Sequence, residues 1–447
     1  MSQPSIAPLE GNATSVASLA ARARAASRAV AKLSADERNA VLLAAAQAID
    51  DSAQRILEAN ARDCKNAEPA VASGKMSSAM LARLRVKESG IAQMSRQVRE
   101  VASLPDPLGK RLAATELDTG LVLVKESCPL GVVGVIFESR PDVVPQLASL
   151  GLKSGNAVIM KGGSEAAATT EALVAVWREA LEKFPHVPPD SITLLQTRAD
   201  VLDLLAQDQN VDLMIPRGSY ELVQYVMQHS RIPVLGHGEG VCHVYVDRAA
   251  DQAKAVAIAY DAKVQYPAVC NAAETLLVNE EIAREFLPKV VAKLKEAGVE
   301  IRGCAKTLAI VPNQGLVPAS EQDWRTEYSA LILSIKVVAD LDEAIEHINR
   351  YGSHHTDAIV TEDAEAASRF MNEVDSAGVY QNASTRFADG YRYGFGAEVG
   401  ISNGKLHARG PMGLDGLTTY KYKLYGSGQT VADYASGQKK FTHRPLQ

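Results

Sequence analysis

Cys270 is the residue whose type and position best suit covalent chemistry. It lies in the segment 264–275, where Pro267 and several small residues precede a β-rich run at 275–278. Small neighbours leave a thiol at such a loop-to-strand junction accessible, and the thiolate is the nucleophilic form of cysteine. Free cysteine is also among the most buried residue types. The segment alone therefore leaves two interpretations open, a catalytic nucleophile and a packed small side chain.

Two glycine-containing turns are candidates for binding phosphate groups. Each follows an apolar run and precedes a helical pattern: Lys161 with the glycines and serine at 162–164, and Gly218 with Ser219. Such a turn brings backbone N–H groups and the positive end of a helix together, which favours anions. Neither turn matches a G-x-G-x-x-G fingerprint or a Walker A loop. A simple capped helix start is an equal alternative for both.

Three histidines, His347, His354 and His355, lie close together in one polar segment. Metal sites combine histidine with cysteine or carboxylate ligands at set spacings, and this segment has no such pattern. We therefore expect a structural or supporting role for these histidines, and no metal site. The five cysteines of the chain are scattered and show no C-x-x-C pair: Cys64, Cys128, Cys242, Cys270 and Cys304. This usage favours a reducing, cytoplasmic location.

The bulk composition excludes several classes of protein. A chain of 447 residues exceeds what one hydrophobic core supports, so two or three domains are expected. The 47 basic and 53 acidic side chains give a net charge of -6 without long runs of either sign, which disfavours nucleic-acid binding. The sequence shows neither a signal-peptide core nor a membrane-length apolar stretch. Residues 13–33 resemble a transit peptide in lacking acids, but an amphipathic helix continuous with the fold is favoured.

The elements that must position these residues alternate between helices and buried strands. A capping-box pattern at 34–37 predicts a helix through 40–46. The runs at 111–115 and 121–126, joined by a turn at 118–120, predict a projecting hairpin. Short β-branched runs followed by helical patterns predict parallel strands buried on both faces. They lie at 131–137, 156–160, 211–215, 244–246, 275–278, 330–335 and 357–360, which indicates two α/β domains.

Five blocks in one order span nearly the whole chain: 131–141, 153–165, 264–275, 347–357 and 405–413. In these blocks the sequence resembles the aldehyde dehydrogenase superfamily, and within it the gamma-glutamyl phosphate reductases, also called glutamate-5-semialdehyde dehydrogenases. The block at 347–357 resembles the signature of that narrower family. The resemblance implies an α/β, aldehyde dehydrogenase-like fold in three parts. These are a Rossmann-like cofactor domain (1–108 and 129–231), an α/β catalytic domain (232–405) and a β-arm for oligomerisation (109–128 and 406–430).

The resemblance also implies a cofactor and the residues that bind it. Lys161, Gly163 and Ser164 match the residues that contact the adenosine ribose and its 2′-phosphate. Gly218 and Ser219 match the pyrophosphate loop, and Glu327 matches the glutamate that holds the nicotinamide ribose. Relatives that prefer NAD often carry an acid near the ribose, whereas this chain has a serine at 164. NADP(H) is therefore the expected cofactor.

The implied reaction is the reduction of L-glutamyl 5-phosphate to L-glutamate 5-semialdehyde with release of phosphate, a step of proline biosynthesis. Cys270 would attack the acyl phosphate and carry the acyl group as a thioester. Its backbone N–H, with Ser139 or Asn271 as a second group, would face the oxyanion. The general base of hydrolytic relatives falls at Gly236, where no base stands. That absence protects a thioester from activated water, although His237 and Glu239 lie close to this position in the sequence.

The acidic substrate calls for cations and hydrogen-bond donors. Arg140, Ser384 and Arg386 stand in polar loop segments and are the expected substrate residues, with a surface ion-pair role as the alternative for the arginines. A homodimer or homotetramer and transient contact with a glutamate 5-kinase are the expected partners. Two other functions stay open: a coenzyme-A-acylating aldehyde dehydrogenase, which also lacks the hydrolytic base, and a non-catalytic binding protein. Retention of Cys270, Lys161 and Glu327 together argues against the last.

Overall fold

The computed structural model of the protein describes residues 15–74, 76, 78–138, 140–236 and 238–446. These residues form two compact units. Of these described residues, the first unit comprises those up to 218, 225–234 and those from 417 onwards, and the second unit comprises 219–224 and those between 235 and 416. Among the helices in these ranges, none is both long enough and apolar enough to cross a membrane. The three-part domain boundaries given above stay a prediction.

Helices and strands alternate through most of the chain. The helices are α1 (Val16–Val30), α2 (Ala35–Asp51), α3 (Ala53–Ala72), α4 (Ser78–Leu84), α5 (Glu88–Ser103), α6 (Val143–Lys153), α7 (Ala167–Leu181), α8 (Ala199–Leu205), α9 (Tyr220–His229), α10 (Gln252–Val264), α11 (Glu280–Glu296), α12 (Ala305–Ile310), α13 (Leu341–Tyr351), α14 (Ala364–Glu373) and α15 (Val431–Ala435). The strands are β1 (Arg111–Asp118), β2 (Leu121–Pro129), β3 (Val132–Phe137), β4 (Ala157–Lys161), β5 (Ile192–Leu194), β6 (Leu213–Arg217), β7 (Cys242–Val246), β8 (Ala273–Asn279), β9 (Glu300–Gly303), β10 (Val317–Pro318), β11 (Ile332–Val338), β12 (Thr356–Val360), β13 (Gly378–Gln381), β14 (Gly400–Ser402), β15 (Gly410–Met412), β16 (Thr418–Tyr425) and β17 (Arg444–Leu446).

The helices at the start of the first unit follow the sequence pattern closely. The predicted capping box is confirmed, since the Ser34 hydroxyl accepts from the Glu37 N–H and the Glu37 carboxylate accepts from the Ser34 N–H. Two of the backbone donors that lack a partner at the start of α2 are thereby satisfied. The amphipathic helix expected within 13–33 is confirmed as α1, although residues 13 and 14 lie outside the described residues.

A four-stranded parallel sheet with the order β5-β4-β3-β6 forms the core of the first unit. Every residue of β3 and β4 is buried, which explains why both strands are continuous apolar runs rather than alternating ones. The predicted strands at 131–137 and 156–160 are confirmed. The strand predicted at 211–215 is also present, but it begins two residues later and ends at Arg217.

The predicted hairpin is confirmed as β1 and β2, paired antiparallel with Ala114 opposite Val124. It is part of a four-stranded antiparallel sheet with the order β16-β2-β1-β17. The C-terminal strand β16 pairs along the full length of β2, from Thr418 opposite Pro129 to Tyr425 opposite Val122. Residues 410–412 instead pair with 400–402 in the second unit.

The second unit is built on a seven-stranded sheet with the order β10-β9-β11-β8-β7-β12-β13, in which all strands are parallel. Its core consists of apolar residues from the strands and from α10 and α11, such as Val244, Leu276, Phe286 and Ile335. The predicted strands in this half are confirmed, although β11 begins at Ile332 rather than 330. Because the strands are parallel, their amino ends lie along one edge, and the segments that precede β7, β8 and β12 meet there.

Candidate active site

Cys270 lies at that edge, in the turn between α10 and β8, and its side chain is partly exposed. The buried thiol of Cys242, on the neighbouring strand β7, donates to the Cys270 carbonyl across 3.3 Å. Gly240 packs against the same backbone: a Cβ at this position would lie 2.5 Å from the Cys270 Cα. Real Cβ atoms do not approach so closely, so only glycine fits at 240 without moving the cysteine. The turn therefore holds Cys270 accessible and tightly positioned.

A buried ion pair ties the two flanks of the Cys270 turn together. Lys263, near the end of α10, binds Glu274, near the start of β8, with 2.6 Å between Nζ and Oε2. Both side chains are fully buried. Burial raises the pKa of Glu274, and the adjacent Lys263 opposes that rise. Removing either partner would leave an uncompensated buried charge, which is costly. The pair therefore holds the ends of the turn together.

The structure places His355 directly against the candidate nucleophile. Its Nε2 lies 3.2 Å from the Cys270 Sγ, and its ring is almost completely buried. Sequence reasoning gave His355 only a structural or supporting role. One feature of the sequence could have indicated this contact. His355 comes directly before strand β12, and Cys270 comes shortly before strand β8. The order of the strands, which the sequence did not supply, decides that these two amino ends are close.

The other two histidines of the segment have different partners. His347 packs among aromatic rings, 5.6 Å from His243 and 5.5 Å from Trp324 between ring centroids. Burial, with a smaller effect of His243, lowers the pKa of His347 to about 2, so this ring is neutral. The Nδ1 of His354 lies 2.6 Å from the Asp375 carbonyl oxygen. Among the residues that the structure describes, no group of three or more histidine, cysteine or carboxylate side chains is arranged to hold a metal ion.

Two of the predicted substrate residues lie in the buried part, 384–386, of the loop after β13. Ser384 accepts the Arg386 N–H at 3.3 Å, and both side chains are more than nine-tenths buried. The Nε of Arg386 donates to Gln265, in the turn that carries the cysteine, at 3.0 Å. Burial lowers the pKa of Arg386, as does Arg392, while the thiol of Cys270 acts in the opposite direction. The guanidinium therefore lies within the electrostatic reach of the candidate nucleophile.

Asn271 joins this loop to the Cys270 turn. Its side-chain amide donates to the Ala388 carbonyl at 2.8 Å, and its own carbonyl accepts from the Thr385 hydroxyl at 2.7 Å. One amide hydrogen is thus used for positioning, and the role of Asn271 beside an oxyanion stays a prediction. The alternative group, Ser139, lies outside the described residues, and so does His237.

Glu327 belongs to the same site through Gly240. Its Oε2 accepts the Gly240 N–H at 2.8 Å, and Gly240 is the residue that contacts the Cys270 backbone. The next residue, Tyr328, is fixed by hydrogen bonds from its hydroxyl to Asp323 and Ser334 at 2.8 and 2.7 Å. The carboxylate of Glu327 is thereby held beside the backbone that carries the nucleophile.

The position expected for a hydrolytic base is a half-buried glycine, Gly236. The nearby Glu239 is half-buried, and its pKa is raised first by burial and then by Glu327. The negative charge of Glu327 therefore acts on the Glu239 carboxyl group, and a role for Glu239 as a base stays a prediction. Its backbone carbonyl accepts from Asn403 at 3.4 Å, which holds this segment in the second unit.

The first cofactor turn lies at the carboxyl end of β4 in the first unit. Lys161 is mostly buried, donates to the Gly162 carbonyl, and has its pKa lowered by burial against the effects of Glu165 and Asp200. Ser164 is exposed and begins a short 3₁₀ turn that leads into α7. A Cβ on Gly163 would collide with the Glu165 carboxylate. The turn thus offers a cation and a hydroxyl, and the Glu165 carboxylate occupies the space beside Gly163.

The remaining predicted residues occupy loops at strand ends. Gly218 and Ser219 are exposed between β6 and α9, and the Ser219 hydroxyl accepts the Leu222 N–H at 3.4 Å. Arg140 is exposed after β3, where its carbonyl accepts the Val143 N–H at 3.1 Å. The glycine and serine have the geometry of a capped helix start, which leaves the binding role of all three as a prediction.

Comparisons with known proteins agree with this arrangement. The model of the aldehyde dehydrogenase family matches residues 5–306. The gamma-glutamyl phosphate reductase of Synechococcus sp. (strain JA-3-3Ab) is 54% identical over 423 residues, which cover 94% of this chain and 92% of the relative. The crystal structure of gamma-glutamyl phosphate reductase from Thermotoga maritima is 41% identical, with a TM-score of 0.90 over 93% of this chain and 99% of that one. An engineered glycolyl-CoA reductase with bound NADP+ shares the fold, at 15% identity and a TM-score of 0.63 over 92% of this chain and 96% of that one.

Proposed function

The chain belongs to the aldehyde dehydrogenase family and, within it, to the gamma-glutamyl phosphate reductases, and we propose that it reduces L-glutamyl 5-phosphate to L-glutamate 5-semialdehyde with NADPH, releasing phosphate. This is a step of proline biosynthesis. Two features together carry the proposal. The thiol of Cys270 is accessible, and a glycine stands at 236, where a hydrolytic enzyme needs a base. The proposed location is the cytoplasm.

Cys270 performs the covalent step in this proposal. Its thiolate attacks the acyl carbon, phosphate departs, and the acyl group stays on sulfur as a thioester. Bound NADPH would supply the hydride. The Cys270 backbone N–H faces the oxyanion that forms at the acyl carbon, with Ser139 or a side chain near Asn271 as the second group. Collapse of the resulting thiohemiacetal releases the aldehyde and restores the thiolate, which is a good leaving group.

The residues in the first cofactor turn fit an anionic dinucleotide. Lys161 supplies a cation at a strand end, and Gly163 leaves room beside the backbone that the flexible Glu165 side chain occupies. In the proposal, Lys161, Gly163 and Ser164 bind the adenosine ribose and its 2′-phosphate. Gly218 and Ser219 bind the pyrophosphate through backbone N–H groups. Preference for NADP(H) over NAD(H) is part of the proposal.

Glu327 would hold the nicotinamide ribose. Its carboxylate accepts the Gly240 N–H, and this support fixes it next to the cysteine backbone. A carboxylate in that position accepts hydrogen bonds from ribose hydroxyl groups. The same contact would orient the nicotinamide ring relative to Cys270, so loss of Glu327 should slow hydride transfer more than it weakens cofactor binding.

Arg386 and Arg140 would bind the anionic ends of the substrate. Arg386 is buried, yet the partner of its Nε is a neutral amide, Gln265. A buried guanidinium beside a neutral amide retains charge for a carboxylate or a phosphate, which it can contact in bidentate geometry. Ser384 would add a hydroxyl in the same loop. Arg140, in an exposed loop, would contact the other end of the substrate.

A coenzyme-A-acylating aldehyde dehydrogenase is the second candidate. The observation that favours it is the same glycine at 236, because an acyl-CoA reductase must also protect its thioester from water. The fold shared with a glycolyl-CoA reductase is compatible with it but shows the fold alone. Phosphate dependence distinguishes the two, since only the first reaction uses phosphate as the acyl acceptor.

The proposal includes a homo-oligomer assembled through the sheet that contains β16. Tyr420, Tyr422 and Leu424 alternate along this strand, and each is about half exposed or more. Apolar side chains on one face of an edge strand form a surface suited to a second copy. A homodimer or homotetramer by light scattering supports this assembly, and a monomer would refute it. Transient contact with a glutamate 5-kinase, which makes the acyl phosphate, is also proposed.

The experiment that tests the proposed function is a direct spectrophotometric assay in the oxidative direction. Purified protein receives L-glutamate 5-semialdehyde and NADP+, with phosphate, with coenzyme A, or with neither, and NADPH formation is followed by absorbance. NADP+ reduction that requires phosphate supports the proposal. Reduction that requires coenzyme A instead would support the second candidate, and reduction with neither acceptor would indicate a hydrolytic enzyme.

A further inference from the structure

We propose that His355 is a catalytic residue that exchanges a proton with Cys270, so that the two side chains form a cysteine–histidine pair. The role of this pair in the reaction rests on the function proposed above. The pair itself is a property of the folded chain that can be measured without substrate or cofactor. The structure supports it through distance, orientation and the nature of the surrounding groups.

The fold brings the two side chains together from separate strands. Cys270 precedes β8 and His355 precedes β12, and both of these strands flank β7 in the parallel sheet. The His355 carbonyl accepts the Gly378 N–H at 3.0 Å, which fixes its backbone at the edge of the sheet. The separation of 3.2 Å between His355 Nε2 and Cys270 Sγ is within the range for proton transfer between sulfur and nitrogen.

A hydroxyl group orients the imidazole. The Nδ1 of His355 lies 2.9 Å from the Thr356 Oγ1, and the Thr356 hydroxyl is also hydrogen-bonded to the phenol of Tyr380 on β13. When the Thr356 hydroxyl donates to Tyr380, its oxygen accepts from the Nδ1–H of His355. This assignment of hydrogens leaves the Nε2 lone pair directed at the thiol. Buried groups thus hold the ring in the tautomer that accepts a proton from sulfur.

The groups around the pair leave the proton exchange to His355. Cys242, the neighbouring thiol, is fully buried, and its pKa is raised well above the ordinary value by that burial, so it stays protonated. Arg386 interacts electrostatically with Cys270 but is a permanent cation, so it cannot accept the proton. Tyr380 faces Thr356, and its pKa is raised by burial and by Tyr393, which keeps the phenol neutral.

The proton balance of the proposed reaction gives His355 a defined task. His355 takes the Sγ proton, and the thiolate forms a bond to the acyl carbon while the bond to the phosphate oxygen breaks. The imidazolium gives its proton to the departing phosphate, which leaves as hydrogen phosphate. After hydride transfer, collapse of the thiohemiacetal returns a thiolate, and His355 takes a new proton from solvent. One proton is consumed for each aldehyde formed, as the overall reduction requires.

The test compares two substitutions of His355 with a matched substitution of its neighbour. His355→Gln and His355→Ala remove the proton acceptor. His354→Asn changes a histidine that contacts the Asp375 carbonyl, at a position with φ of 59°, which asparagine tolerates. The first readout is the rate of Cys270 alkylation by iodoacetamide in the free protein, measured by mass spectrometry at two pH values. The second is kcat for phosphate-dependent NADP+ reduction.

Both His355 variants should react with iodoacetamide about 10-fold more slowly than the unsubstituted protein near pH 7, because an isolated thiol is only about 3% ionised there. Near pH 10 the difference should vanish, since any accessible thiol is then about fully ionised. A purely structural role would slow alkylation at both pH values. The kcat of both variants should fall about 100-fold, whereas His354→Asn should match the unsubstituted protein in both assays.

Equal alkylation rates near pH 7 in the unsubstituted protein and the His355 variants would overturn the pairing, even if the protein is an active reductase. Slower alkylation of the variants in a protein without phosphate-dependent activity would instead confirm the pairing and refute the proposed function. The cysteine–histidine pair and the proposed reductase function can therefore be refuted independently of each other.

Discussion

The substitution Gly240→Ala tests whether the tight backbone contact at Gly240 positions the nucleophile. The new Cβ would lie 2.5 Å from the Cys270 Cα and 2.6 Å from its carbonyl carbon. Ordinary contacts between carbon atoms begin at about 3.5 Å. The backbone at either 240 or 270 must therefore move by about 1 Å. A displacement of that size at a reacting atom costs about 100-fold in rate. We therefore expect kcat for phosphate-dependent NADP+ reduction to fall about 100-fold.

The same substitution should also disturb Glu327, which accepts the Gly240 N–H. Gly404→Ala is the matched control, because a Cβ there meets the Ser402 hydroxyl only at an ordinary 3.6 Å. Steady-state kinetics and thermal unfolding of both variants separate a local displacement from a loss of folding. If Gly240→Ala retained the full kcat with an unchanged melting temperature, the claim that this contact positions Cys270 would be refuted.

Three further predictions concern the cofactor, the substrate and stability. Glu165→Gln should raise the ratio of kcat/KM for NADPH to kcat/KM for NADH about five-fold, because it removes a negative charge next to Gly163 that would repel a 2′-phosphate. The control Glu171→Gln, at an exposed position on α7, should leave this ratio unaltered. Arg386→Lys should raise KM for phosphate about 10-fold, because lysine lacks the bidentate fork, while Arg392→Lys in the same loop should not. Hydrogen bonds from Ser320 and Arg302 overcome the opposing effect of burial and hold the pKa of Asp323 below its ordinary value, so its stabilising effect is present above about pH 4 and is lost at lower pH. Asp323→Asn should therefore lower the free energy of unfolding by about 2 kcal/mol near pH 7, with a difference that shrinks in urea titrations below about pH 4.

Local sequence signals predicted most of the fold. The capping box at Ser34, the hairpin turn at 118–120 and the buried β-branched runs all depend on interactions within a few residues. The boundaries that shifted, such as the start of β11 at Ile332, are set by pairing with β8 and β9 rather than by local preference. The short pair β14 and β15 gave no pattern, because three-residue strands lack the length for a recognisable alternation.

The candidate site was predicted only where one residue carries the signal. Cys270 has a distinctive local context, but the contact with His355 depends on the order of β8, β7 and β12, which single-strand patterns do not contain. The importance of Gly240 could not be predicted either, because it comes from a close approach between two segments that are distant in sequence. The contact of Glu165 with the first cofactor turn could not be predicted either, because it depends on a side chain that folds back towards Gly163.

The central claim is that Cys270 carries an acyl group that only phosphate or hydride removes. The most direct measurement is NADP+ reduction by the purified protein supplied with L-glutamate 5-semialdehyde, with and without phosphate, in parallel with Cys270→Ala. We predict rapid NADPH formation with phosphate, almost none without it, and none from the variant under either condition. Equal rates with and without phosphate, or full activity of Cys270→Ala, would contradict the claim.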